Sequence, residues 1–126
     1  MKNQVADLWP QATGLELAMV FGSVARGEAT AASDIDVAVV GRGLDTLAIT
    51  AALEGRLPAQ VQVVHLDDPS VVLLAELVRE AVPLYERVPG AYAQWLSRTM
   101  WQLEDDLPWY QRQERSWLAR VAQRGL

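Results

Sequence analysis

The sequence predicts an α/β domain, and three observations carry that prediction. Short apolar runs of strand length alternate with segments whose apolar residues recur every three or four positions. Glycine and proline mark most of the joins between them. Hydrophobic residues fill 51% of the 126 positions, which suits one compact domain with a single core and excludes a disordered chain.

The elements follow in chain order. Residues 3 to about 13 read as a short amphipathic helix with Val5, Leu8 and Trp9 on one side, which Pro10 starts or breaks. A first strand runs from Glu16 to Phe21 and a second from about Ile35 to Val40, with a short helix expected over Val24 to Glu28 between them. Asp45 caps a helix that carries Leu47, Ala48, Ala51 and Leu53 as far as Gly55. The third strand is Val61 to Leu66. Ser70 caps a helix from Val71 to about Ala81, and Pro83 stops it. Leu84-Tyr85-Glu86 reads as a short edge strand beside Pro83 and Pro89, with Tyr85 as a packing residue.

From Pro89 onward the chain is helical. Tyr92, Leu96, Met100, Leu103 and Leu107 form a core-facing stripe, with Trp95 at its margin and Trp101 away from it. Pro108 breaks or kinks this run and starts a last helix, Trp109 to about Gln123. A core over residues 1–88 therefore carries a helical arm over residues 89–126, packed as one domain.

Composition narrows the function classes. Net charge is −5, and no basic cluster stands out before the C-terminal helix, which argues against sequence-independent binding of nucleic acid. A small nucleotide with its own Mg²⁺, or another protein, is the better partner. No apolar run approaches the length of a membrane span, and the start MKNQVADLWP lacks the apolar region of a signal peptide. With no cysteine, there is neither a disulfide framework nor a thiolate metal site. The expected location is the cytoplasm.

The chemistry lies between Val20 and Val40. Gly22-Ser23 ends the first strand, where backbone N–H groups and a serine hydroxyl suit a phosphate. A residue without Cβ at position 22 lets a triphosphate approach the backbone closely. Asp34 and Asp36 sit two apart at the start of the second strand, so both carboxylates share one sheet face while Ile35, Val37 and Val39 point to the core. Two carboxylates beside an anion cradle can hold Mg²⁺ against nucleotide phosphates.

Gly22-Ser23-Val24-Ala25-Arg26-Gly27, then five residues, then Ser33-Asp34-Ile35-Asp36, resembles the signature of the minimal nucleotidyltransferases (MNT). These are small members of the polymerase-β-like superfamily and include the antitoxins paired with HEPN-type toxins. A tight turn and two solvated aspartates would leave the coincidence of Arg26, Ser33 and both aspartates unexplained. The resemblance implies a small mixed sheet of three or four strands with flanking helices. It implies Mg²⁺ or Mn²⁺ on Asp34 and Asp36, ATP as substrate, Gly22, Ser23 and Ser33 at the nucleotide, and Arg26 at a phosphate or the acceptor.

The same resemblance places a third carboxylate on the third strand, where this chain has Gln62. An amide accepts a hydrogen bond but supplies neither a base nor negative charge. His65 is a possible substitute base, since its pKa lies near neutrality, but strand alternation turns it to the face opposite Gln62. Asp67 and Asp68, past the strand end, read better as a turn and helix cap ahead of Pro69.

Four of the five tryptophans follow residue 94. Either these rings fold back over the sheet, or they form a partner interface with Trp101 and Trp109 as its pair. Two functions follow. In one, the chain is an enzyme that transfers AMP from ATP to a hydroxyl of a HEPN-type ribonuclease toxin, by resemblance a tyrosine. In the other, Gln62 leaves the site catalytically impaired, and the chain neutralises its toxin by binding alone.

Overall fold

The computed structural model describes residues 1–123, without the side chains of residues 107, 109–111 and 113–123. The interface role expected of Trp109 lies outside the described side chains, as does Leu107 of the expected stripe.

Four strands form one mixed sheet in the order β3-β2-β1-β4. β1 (Leu15–Phe21) lies at its centre and runs antiparallel to both β2 (Ile35–Gly41) and β4 (Val82–Glu86). β3 (Val61–His65) is parallel to β2, which a crossover through α2 (Thr46–Glu54) allows. The small mixed sheet expected from the sequence is present.

β1 explains its own central place. Leu17, Ala18, Met19, Val20 and Phe21 are all buried, so from Leu17 onward the strand has no face left for water. One side of the sheet sets Ala18, Val20, Val37, Val39 and Val61 against Val5, Trp9, Ile49, Leu53 and Leu57. The other sets Leu17, Met19, Phe21 and Ala38 against Leu74 and Leu77 of α3 (Val71–Glu80) and Trp95 and Leu103 of α4 (Ala91–Gln123). Each fully buried aliphatic side chain here contributes roughly 1.5–3 kcal/mol.

The caps read from the sequence hold two helices in place. Asp45 accepts the Ala48 amide at 3.0 Å, and Ser70 Oγ accepts the Leu73 amide at 3.1 Å. Tyr85 packs as expected, its ring stacked on Trp9 with centroids 6.5 Å apart.

Four expectations need correction. The N-terminal helix divides into α1 (Lys2–Val5) and a 3-10 turn (Trp9–Gln11), because Pro10 fits a first turn but cannot continue an α-helix. No helix forms over Val24 to Glu28. The core stripe of α4 is rotated: Trp95, Thr99 and Leu103 are buried, whereas Met100 is 49% exposed. Tryptophan at position 95 offers far more apolar area than methionine at position 100, and the helix turns to bury it. Finally, α4 runs through Pro108 without a break. Proline removes one helical hydrogen bond there, to Glu104, whose residue is exposed so that water can take its carbonyl.

Candidate active site

Asp36 lies within β2 and Asp34 just before it. Ile35, Val37 and Val39 are buried on one side of the sheet and Ala38 on the other, so alternation places both aspartates on the face covered by α3 and α4. At the adjoining end of β1, Gly22 adopts φ +74°, and a Cβ there would strike Asp36 Oδ2. Only glycine allows the β1 exit to lie this close to the carboxylate.

The chain beyond Gly22 makes a single closed turn. Arg26 N–H donates to Gly22 O at 3.1 Å, Glu28 N–H to Ser23 O at 2.9 Å, and Gly27 N–H to Val24 O at 3.2 Å. The last two bonds, with Gly27 at φ +73°, are the pattern that ends a helix. Gly27 therefore stops helix growth after one turn, which is why the expected short helix is missing.

Arg26 is held from two sides. Nε donates to Glu28 at 3.0 Å, and Nη1 donates to both oxygens of Glu80 at 3.2 and 3.0 Å. Glu80 Oε1 also accepts the Gly22 amide at 3.1 Å. Glu80 escaped the sequence reading. Its signal was the acidic pair Glu76 and Glu80, one helical turn apart at the end of α3. Ser33 closes its own loop, its Oγ accepting the Thr30 amide at 2.9 Å.

These charges perturb one another. Burial, then the charge of Asp34, raise the Asp36 carboxyl above its ordinary value, while Arg26 opposes them and Glu80 adds to them. Burial raises Glu80, but hydrogen bonds from Arg26, Glu76 and Gly22 outweigh it and leave that carboxyl lowered. Glu76 is raised, by burial first and then by Glu80.

Gln62 stands beside Asp36 in the parallel register of β2 and β3 and is exposed. The position adjoining the aspartates thus carries an amide. His65 does not replace it. It pairs with Val39, faces the opposite side of the sheet, and its Nε2 donates to Gly41 O at 2.8 Å. Asp67 and Asp68 follow the far end of β3, where the Asp68 amide donates to Asp67 Oδ1 at 3.0 Å in a turn. Among the described residues, no group of three or more His, Cys, Asp or Glu side chains could hold a metal ion. Asp34 and Asp36 nonetheless fit a hard divalent cation, whose charge would relieve the repulsion that raises Asp36.

Residues 3–89 match the family model described as Polymerase beta, Nucleotidyltransferase. The chain belongs to this nucleotidyltransferase family. A toxin-antitoxin crystal structure with AMP-PNP aligns on the family's present member with a TM-score of 0.72, at 23% identity over 97% of this chain and 98% of that one. A structure of tri-AMPylated HEPN toxin from Shewanella oneidensis in complex with MNT antitoxin aligns with a TM-score of 0.65. Identity there is 22%, over 97% of this chain and 95% of that one. A candidate minimal nucleotidyltransferase is 36% identical over 65% of this chain and 87% of its own, with a TM-score of 0.56. The two toxin-antitoxin alignments show that the nucleotidyltransferase fold extends over nearly the whole chain. No curated protein matches the chain in sequence.

Proposed function

We propose that this chain is a Mg²⁺-dependent nucleotidyltransferase that moves AMP from ATP to a hydroxyl of a HEPN-type toxin, acting as its antitoxin. One observation carries the reading: Asp34 and Asp36 share a sheet face against the glycine exit of β1. Two solved structures support it, one with AMP-PNP and one with a tri-AMPylated HEPN toxin.

Asp34 and Asp36 would hold Mg²⁺ or Mn²⁺, which when bound supplies positive charge to the nucleotide phosphates. Gly22 and Ser23 receive the β and γ phosphates, and Arg26 meets a phosphate or the acceptor. Ser33 shapes the loop that delivers Asp34. The acceptor oxygen bonds to the α phosphorus as the bond to the β-phosphate oxygen breaks, and pyrophosphate leaves. The hydroxyl proton passes to water, since Gln62 is no base. Residues 1–88 carry this chemistry, and the arm of residues 89–126 meets the toxin, with Trp101 at 71% exposure on its surface. Among the described residues no helix is long and apolar enough to cross a membrane, and the proposed location is the cytoplasm.

A second reading rests on Gln62 beside Asp36: the site is catalytically impaired, and the chain neutralises the toxin by contact. Intact mass spectrometry separates the two. A HEPN-type toxin incubated with this chain, Mg²⁺ and ATP gains mass in AMP steps, and Asp34→Asn abolishes the gain. A stable complex with no added mass overturns the enzyme reading in favour of contact.

A further inference from the structure

Glu80 lies outside every motif from which the site was read, yet it touches two of the site's parts. It is the last residue of α3, and its side chain is 9% exposed. The placement follows from the strand ladder. Val20 pairs with Val82 across antiparallel β1 and β4, so Gly22 and residue 80 oppose each other two steps further on. At residue 80 the chain is still helical, and a side-chain oxygen takes the Gly22 amide where a strand carbonyl would otherwise stand.

We infer that Glu80 is a positioning residue for nucleotide binding, clamping the Gly22 amide and the Arg26 guanidinium in one preset arrangement. The inference rests on the nucleotidyltransferase reading above. The contacts are charge-assisted and meet on a Glu80 carboxylate that is itself shielded, although Arg26 stays partly open to solvent. Arg26 is further fixed by Glu28, so its Nε and Nη1 are both held before any ligand arrives.

The direction of the Gly22 bond separates a clamp from an internal competitor of phosphate. Its amide points along the ladder toward the β4 side, to Glu80, whereas its missing Cβ points at Asp36. Glu80 therefore engages the Gly22 amide, while the space in front of the missing Cβ belongs to Asp36. Losing it leaves Gly22 and Arg26 to be ordered at the moment of binding, which weakens affinity more than it slows the chemical step.

The test titrates Mg²⁺ with AMP-PNP into the full chain and its Glu80→Ala and Glu80→Gln variants, with ¹⁵N spectra of the Gly22 amide and Arg26 Nε–H. Glu80→Ala weakens binding about tenfold and moves both signals. Glu80→Gln, whose amide oxygen still accepts from Gly22, regains most of the affinity. Glu80→Asp keeps the charge but falls one methylene short, and it gives the same weakening where Glu80→Ala does not fold. Parent-like binding in Glu80→Ala overturns the inference, and tighter binding does so by marking Glu80 as a competitor of phosphate. A parent chain that binds no nucleotide overturns the nucleotidyltransferase reading and this role with it. In that event unmoved Gly22 and Arg26 signals in Glu80→Ala would also remove the clamp.

Discussion

Asp36 and Gln62 stand side by side across the parallel β2–β3 pair, on one face of the sheet. Neighbouring strands lie roughly 4.8 Å apart, so a carboxylate at position 62 would reach the same ligand as Asp36. Gln62→Asp is expected to raise Mg²⁺-dependent AMP transfer to the toxin, read by intact mass over a time course. An unchanged rate means that position 62 is not where a base is missing.

Asp36→Asn is expected to abolish Mg²⁺-dependent binding of AMP-PNP and, at the same time, to stabilise the fold at neutral pH. Burial and Asp34 raise the Asp36 carboxyl above 3.8, so just above that pH the native state holds a proton the unfolded chain has released. Stability falls as pH rises from the unfolded value through the raised folded one, and the cost persists above that window. The amide removes it. Urea titrations of parent and variant at acidic and neutral pH check the sign, and calorimetric titration checks the binding.

Gly22→Ala combines backbone strain with a collision. At φ +74° an alanine costs about 1–3 kcal/mol, and its Cβ displaces the Asp36 carboxylate. The expected result is a lower Tm together with lost nucleotide binding. A variant with a lower Tm but parent-like binding would uncouple Gly22 from the aspartate pair.

Trp95 and Trp101 sit on one helix and are expected to behave oppositely. Trp95 is 7% exposed and packs with Leu74, Leu77 and Leu103, so Trp95→Ala costs about 3–5 kcal/mol. Trp101 is 71% exposed, and Trp101→Ala changes stability by less than about 0.5 kcal/mol while weakening toxin binding. Toxin affinity unchanged by Trp101→Ala sinks its interface role.

Much of this molecule was legible in sequence because it depends on neighbours along the chain. Asp45 and Ser70 capped their helices, and the strands appeared as apolar runs. The spacing of Asp34 and Asp36 put both on one face, since side chains alternate along any strand. Alternation also turned His65 away from Gln62, as the structure finds.

What only the tertiary structure decided involves partners distant in sequence or competition between faces. Glu80 meets Gly22 across 58 positions, through a ladder register that no local pattern carries. The rotation of α4 toward Trp95 depended on which side chain filled the space over Leu17 and Met19. The turn at Gly22–Gly27 stayed short because Gly27 took a left-handed conformation. Chain-local rules set the elements and the aspartate pair. Packing chose the faces and brought α3 to the loop, because burial and long-range hydrogen bonds are satisfied only once the sheet is assembled.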